Sequence, residues 1–124
     1  MGVEFKMSNL NVEIEIQKQT MIAYLNGEID HHNAAKIRTT LDARIESAKP
    51  NLLILDFTNI SFMDSSGIGL VMGRYKLMKY IDGNLKIINP SPQIRKVMSL
   101  AGFDRLAVIE KIKPCNRSEY VGKK

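Results

Sequence analysis

The run Leu52-Leu53-Ile54-Leu55-Asp56-Phe57 constrains the fold most, because an almost unbroken apolar stretch of this length reads as a β-strand covered on both faces. Strands of that kind sit in sheets flanked by helices, and the surrounding pattern agrees. Val12-Glu13-Ile14-Glu15-Ile16 alternates strictly, as a strand with one wet face does. After the polar break Lys18-Gln19-Thr20, the run Met21-Ile22-Ala23-Tyr24-Leu25 resumes, so the two are predicted to pair as an antiparallel hairpin. Asn26-Gly27 then ends or bulges the second strand.

Helical spacing takes over between the remaining strands. From about Asn33 the residues Ala34, Ile37, Leu41, Ile45 and Ala48 trace one face of a helix that Pro50 closes. After the central strand, Ile68, Val71, Met72, Tyr75 and Met78 mark a second helical face, ending near Asp82-Gly83-Asn84. Leu85-Lys86-Ile87-Ile88 is predicted as a strand. Ser91 and Pro92 suit the N-cap and first position of a third helix, with Ile94, Val97, Met98 and Ala101 as its buried face and Gly102 as its stop. Leu106-Ala107-Val108-Ile109 reads as a last strand. The implied architecture is α/β: a small mixed sheet with an N-terminal antiparallel hairpin and helices packed around parallel strands joined by right-handed crossovers.

With 124 residues and 44% hydrophobic content, the chain suits one domain with a single core. The expected core spans residues 11–109, and residues 114–124 form a polar tail. No apolar run reaches the roughly 18 residues a membrane span needs, and the N-terminus lacks a signal core, so a cytoplasmic location is expected. The lone Cys115 can form no internal disulfide. The net charge of +5 is spread along the chain, and with aromatics at 6% it does not make a nucleic-acid surface.

Chemistry concentrates at Met63-Asp64-Ser65-Ser66-Gly67-Ile68-Gly69, between the central strand and the second helix. Asp64, Ser65 and Ser66 are all residue types that cap a first helical turn. Capping does not ask for Gly67 and Gly69, each of which costs a helix about 1 kcal/mol relative to alanine. Gly69, Gly73, Lys76 and Tyr80 lie on a further stripe of this helix, spaced four, three and four residues apart. Bare glycines there would let a partner backbone approach or would ease packing against the chain's own loops. His31 and His32 are adjacent and diverge, so a metal site is not expected, and no cofactor is called for.

In this order of elements, and in Gly27-Glu28-Ile29-Asp30-His31-His32 and Phe62-Met63-Asp64-Ser65-Ser66-Gly67-Ile68-Gly69, the chain resembles the anti-sigma factor antagonists of the STAS-domain family. Gly73-Arg74-Tyr75 and Ser99-Leu100-Ala101-Gly102-Phe103 also stand in family register. The Asp30-His31-His32 triplet is more similar to the sporulation branch, which acts on sigma F, than to the general-stress sigma B branch. The resemblance implies a non-enzymatic switch. Its unphosphorylated form binds an anti-sigma factor that is also a serine kinase, and a serine phosphatase reverses the modification. By position the phosphorylated residue is Ser65, with Ser66 as its capping neighbour. Asp30, His31, His32, Asp64, Ser66 and Gly67 join the Gly69–Tyr80 stripe as expected partner contacts, and the free protein is expected to be a monomer. Family members usually finish with a helix after the last strand, whereas Pro114 and the residues beyond it offer at most a short one.

Two rival chemistries fit less well. A hydrolase would need Ser65 or Ser66 as nucleophile, a histidine base and Asp64 as its orienter, yet the Gly-x-Ser-x-Gly elbow is missing. A phosphate-binding loop would need Gly-Lys-Ser or Gly-Lys-Thr after the glycines, and neither occurs.

Overall fold

The computed structural model describes residues 5–8 and 11–112. One six-stranded sheet runs in chain order through β1 (Phe5–Ser8), β2 (Val12–Gln17), β3 (Thr20–Ile29), β4 (Leu52–Met63), β5 (Asn84–Ile88) and β6 (Val108–Glu110). The first two junctions, β1 with β2 and β2 with β3, are antiparallel, and every later pair is parallel. The crossovers are α1 (Ala34–Ala48), α2 (Ser65–Tyr80) and α3 (Pro92–Leu100), the last followed by a 3-10 turn at Phe103–Arg105.

The predicted hairpin is present, pairing Ile14 with Ala23 and Ile16 with Met21. The edge strand β1 has no counterpart in the sequence reading. It is four residues long, and it is defined by its pairing with β2, which periodicity cannot register. Asn26-Gly27 bulges β3 without ending it: the register with β4 shifts on both sides of this pair, Gly27 has φ +84°, and the strand continues to Ile29.

Side chains alternate across the sheet, and the helices cover one face. Met21, Ala23 and Leu25 of β3 and Leu53, Leu55 and Phe57 of β4 join Ile37, Leu41 and Ile45 of α1 and Val71 and Met78 of α2 in the main core. Ile22, Tyr24, Ile54 and Ile88 are buried on the opposite face, so the central strand is enclosed on both sides as its apolar run required. Asp56, the polar member of that run, is buried but accepts from the Thr58 backbone N–H at 2.9 Å and the Thr58 hydroxyl at 2.6 Å.

Several expected core positions are corrected. Ala48 is exposed on the last turn of α1. Helix α3 buries only Ile94 and Met98, a stripe one residue wide per turn, which leaves Val97 on the outside. Ala101 is exposed at the C-cap, where the chain leaves the helix for Gly102. Leu106 and Ala107 precede β6 rather than opening it, because the 3-10 turn consumes that length. At the end of α2, Asp82 rather than Gly83 adopts the left-handed conformation, and the Gly83 N–H donates to the Met78 carbonyl at 2.7 Å. Cys115, Pro114 and the predicted tail at 114–124 lie outside the described residues.

Candidate functional site

Strands β3 and β4 are parallel and end level, with Ile29 beside Met63. The residues that follow, Asp30 and Asp64, therefore open neighbouring loops at the C-terminal ends of the two central strands, and the Asp64 N–H donates to the Ile29 carbonyl at 3.1 Å. From these two loops start α1 and α2. The topology thus brings the Asp30-His31-His32 triplet and the serine pair to one end of the molecule.

Each loop is closed by its own acidic residue. Asp64, in extended conformation, is the N-cap of α2: its carboxylate accepts from the Ser66 N–H at 2.8 Å, and its carbonyl accepts from the Gly67 N–H at 2.9 Å. The cap is Asp64, which corrects the expectation that Ser66 serves this purpose. Ser65 becomes the first residue of the helix and is exposed, while Ser66 is half-buried. In the other loop the Asp30 carboxylate accepts from the N–H groups of His32 at 2.9 Å and Asn33 at 3.2 Å, and the Asn33 side chain accepts in return from the Asp30 N–H at 3.0 Å. This is a reciprocal box of the capping kind, and it gives Asp30 a clear local task.

The expected divergence of His31 and His32 is corrected: both precede the first turn of α1, in the loop that Asp30 closes, and their exposed rings lie with centroids 4.1 Å apart, tilted by 36°. Among the described residues no three His, Cys, Asp or Glu side chains gather closely enough to hold a metal ion. The Asp64 carboxylate is engaged by helix backbone, and its hydrogen bond goes to no imidazole.

The glycines divide into two kinds. A Cβ on Gly67 would collide with the Met63 side chain and come within 3.3 Å of Ile29, so this glycine is where the helix start presses onto the strand ends. Among the described residues, a Cβ on Gly69 or Gly73 would meet nothing within 4 Å. Packing among the described residues does not call for either. Lys76 is exposed and Tyr80 is 85% exposed, so the predicted stripe is the outward face of α2.

Gly69 and Gly73 also form one wall of a groove of about 460 Å³ between α2 and α1, with Ala34 and Ala35 opposite. His31 and Ser66 lie at its lining, and Lys76 and Tyr80 do not. Two more lining residues, Arg38 and Arg74, were not singled out as site residues. Arg74 occupies the buried stripe of α2 with Leu70, Val71 and Met78, where its Nε lies 2.9 Å from Asp42 Oδ1 of α1. Burial pulls the Arg74 guanidinium below its ordinary pKa and pushes the Asp42 carboxyl above its own, each partner charge acting the other way. The signal in the sequence was partial: Arg74 stands three residues after Val71 and four before Met78, at the margin of the expected face, whose other members Ile68, Met72 and Tyr75 are only half-buried.

With this geometry in place, the sequence model of the STAS domain matches residues 11–115. The chain belongs to the STAS-domain family. An anti-sigma F factor antagonist from Paenibacillus polymyxa is 32% identical over 101 residues, covering 82% of this chain and 86% of the relative. One from Lysinibacillus sphaericus is 38% identical over 88 residues, covering 71% and 75%. The solved structure of the anti-sigma factor antagonist SpoIIAA in its unphosphorylated form superposes with a TM-score of 0.75 at 32% identity, over 89% of this chain and 95% of that one. The structure of the Bacillus cell fate determinant SpoIIAA in its phosphorylated form gives 0.72 at the same 32% identity. The small mixed sheet expected from the order of elements, and the STAS-type fold implied by the resemblance, are therefore what the structure has.

Proposed function

We propose that this protein is an anti-sigma factor antagonist of the sigma F, sporulation type, acting in the cytoplasm as a monomer when free. Its unphosphorylated form binds an anti-sigma factor that is also a serine kinase and so frees the sigma subunit. Phosphorylation of Ser65 ends that binding, and a serine phosphatase restores it. The names of the relatives at 32% and 38% identity support the branch. A sigma B pathway is the second reading, because an anti-sigma-B factor antagonist of Bacillus subtilis is 29% identical over 95 residues.

The observation that carries the proposal is the placement of Ser65. Its side chain is exposed at the first position of α2, with the capping work already done by Asp64. A kinase can reach the hydroxyl without unfolding the helix. A phosphate there adds about −1.5 to −2 charges, at a helix end whose N–H groups favour an anion. The adjacent Asp64 carboxylate repels it. The fold therefore tolerates the modification and no rearrangement is needed. What changes is the surface: a dianion pressed against a partner without a matching cation is desolvated and unpaired. Every ~1.4 kcal/mol of that penalty weakens binding tenfold.

The test is to incubate the protein with the purified sigma F-type anti-sigma factor of the same genome and ATP, then map the modified residue. Phosphate is expected on Ser65, with Ser65→Ala binding as the unmodified protein does and Ser65→Asp binding at least tenfold more weakly. Phosphate on Ser66 would overturn the site, and tight binding by the phosphorylated protein would overturn the switch. Equal or better binding to a sigma B-type anti-sigma factor would favour the second reading.

A further inference from the structure

The groove between α1 and α2 is shaped by small residues and charged by basic ones. Gly69 and Gly73 face Ala34 and Ala35, and each titratable side chain that lines it, His31, Arg38 and Arg74, is basic. Small residues alone would be a packing feature. Arg74 adds a different observation: the residue is only 6% exposed, and its Nη1 is enclosed without a hydrogen-bond partner among the described residues.

The internal ion pair does not meet that demand. Asp42 Oδ1 is near enough to Arg74 Nε at 2.9 Å, but the approach is too oblique for a hydrogen bond, and both atoms remain unsatisfied in that sense. A guanidinium carries five N–H donors arranged for a planar acceptor with two oxygens. Leaving enclosed donors unmade is costly, and folded proteins rarely do so. Arg38, exposed on α1, acts electrostatically on both members of the pair; Asp42 is thus shared between two arginines and does not itself reach the groove's lining.

We propose that this groove receives an acidic side chain of the anti-sigma factor, whose carboxylate pairs with Arg74 at the groove floor and with Arg38 at its rim. The inference rests on the antagonist reading above and names the chemistry of the contact. Gly69 and Gly73 admit the partner backbone, since any side chain there would occupy the open space along the groove. The terminal torsions of Arg74 turn its free N–H groups toward the incoming carboxylate, which supplies what the loose Asp42 contact does not. Ser66 lines the same groove and Ser65 adjoins it in sequence, so a partner seated here lies next to the modified residue.

The test is calorimetric titration with purified anti-sigma factor at two salt concentrations. Arg38→Glu, at an exposed position, is expected to weaken binding about tenfold or more, and further than Arg38→Gln does, because it sets a like charge against the incoming carboxylate. The double variant Asp42→Asn/Arg74→Gln removes the ion pair as a unit. It is expected to keep its circular dichroism spectrum while binding at least tenfold more weakly and with a shallower salt dependence. If Arg38→Glu binds as the parent protein does, the proposal is overturned, whether or not the double variant folds. A folded double variant with unchanged affinity overturns it as well, leaving Ser65 phosphorylation and the antagonist reading intact. Failure of the parent protein to bind at all removes the antagonist reading and this inference with it.

Discussion

Gly67 and Gly69 stand two residues apart on α2, but a Cβ on the first would run into Met63 and Ile29, whereas on the second it would meet nothing within 4 Å among the described residues. The inner face of the helix start is tight against the ends of β3 and β4. The outer face is bare over Gly69 and Gly73 and continues into exposed Lys76 and Tyr80. A glycine on the inner face is explained by the fold. One on the outer face carries a helix-propensity cost of about 1 kcal/mol with no packing gain to offset it. That contrast separates residues that build the site from residues available to a partner.

The largest effect should come from crowding the inner face. Gly67→Val is expected to lose about 2 kcal/mol or more in urea unfolding, because Met63 and Ile29 must both give way. A Gly67→Val variant as stable as the parent would mean that Met63 swings aside freely and would dissolve the contrast. Next in size is the cap: Asp64→Ala leaves the Ser66 N–H without its acceptor and should cost about 1 kcal/mol in thermal or urea unfolding. Asp64→Asn, which keeps an acceptor oxygen, should recover most of that loss.

Periodicity made the alternating strands and the three helices readable, because each buries a recurring face. It missed what depends on pairing between segments. Strand β1 is defined by its partners on β2, and the Thr58 to Met63 end of β4 is held beside β3 although its exposed residues interrupt the apolar pattern. The same distinction runs through the site. The helix cap was visible as a set of three capping residues, but which of them caps is decided by backbone angles: Asp64 is extended, and Ser65 is already helical. The separate fates of Gly67 and Gly69 were not visible at all, since only the position of Met63 tells them apart. Arg74 was legible only in part, as a charge at the margin of an apolar stripe, and its unmet hydrogen bonds follow from the position of Asp42 on another helix.

The outer face makes the opposite prediction in sign. Gly69→Ala and Gly73→Ala should each stabilise the protein by about 0.5–1 kcal/mol, since both positions are helical, lack positive φ and have room for a methyl group. Calorimetric melting would show this as a rise in Tm. A stabilising substitution that also weakens binding of the anti-sigma factor would identify the glycine as a partner contact, and Gly73→Gln should weaken it further while folding normally. A loss of stability at either position would return that glycine to the fold.

Tyr80 gives the smallest effect and the cleanest readout. At 85% exposure, its replacement by alanine removes little buried surface, so stability should stay within about 0.5 kcal/mol of the parent. Any change in affinity therefore belongs to the complex. Tyr80 is the last residue of α2 and Ser65 the first, which puts them roughly 20 Å apart along the helix axis. A partner that reads the whole outward face must span that distance; one confined to the helix start and the adjoining groove does not touch Tyr80. Weaker binding by Tyr80→Ala would extend the docking surface along the entire helix, and unchanged binding would confine it to the end where Ser65, Gly69 and Gly73 lie.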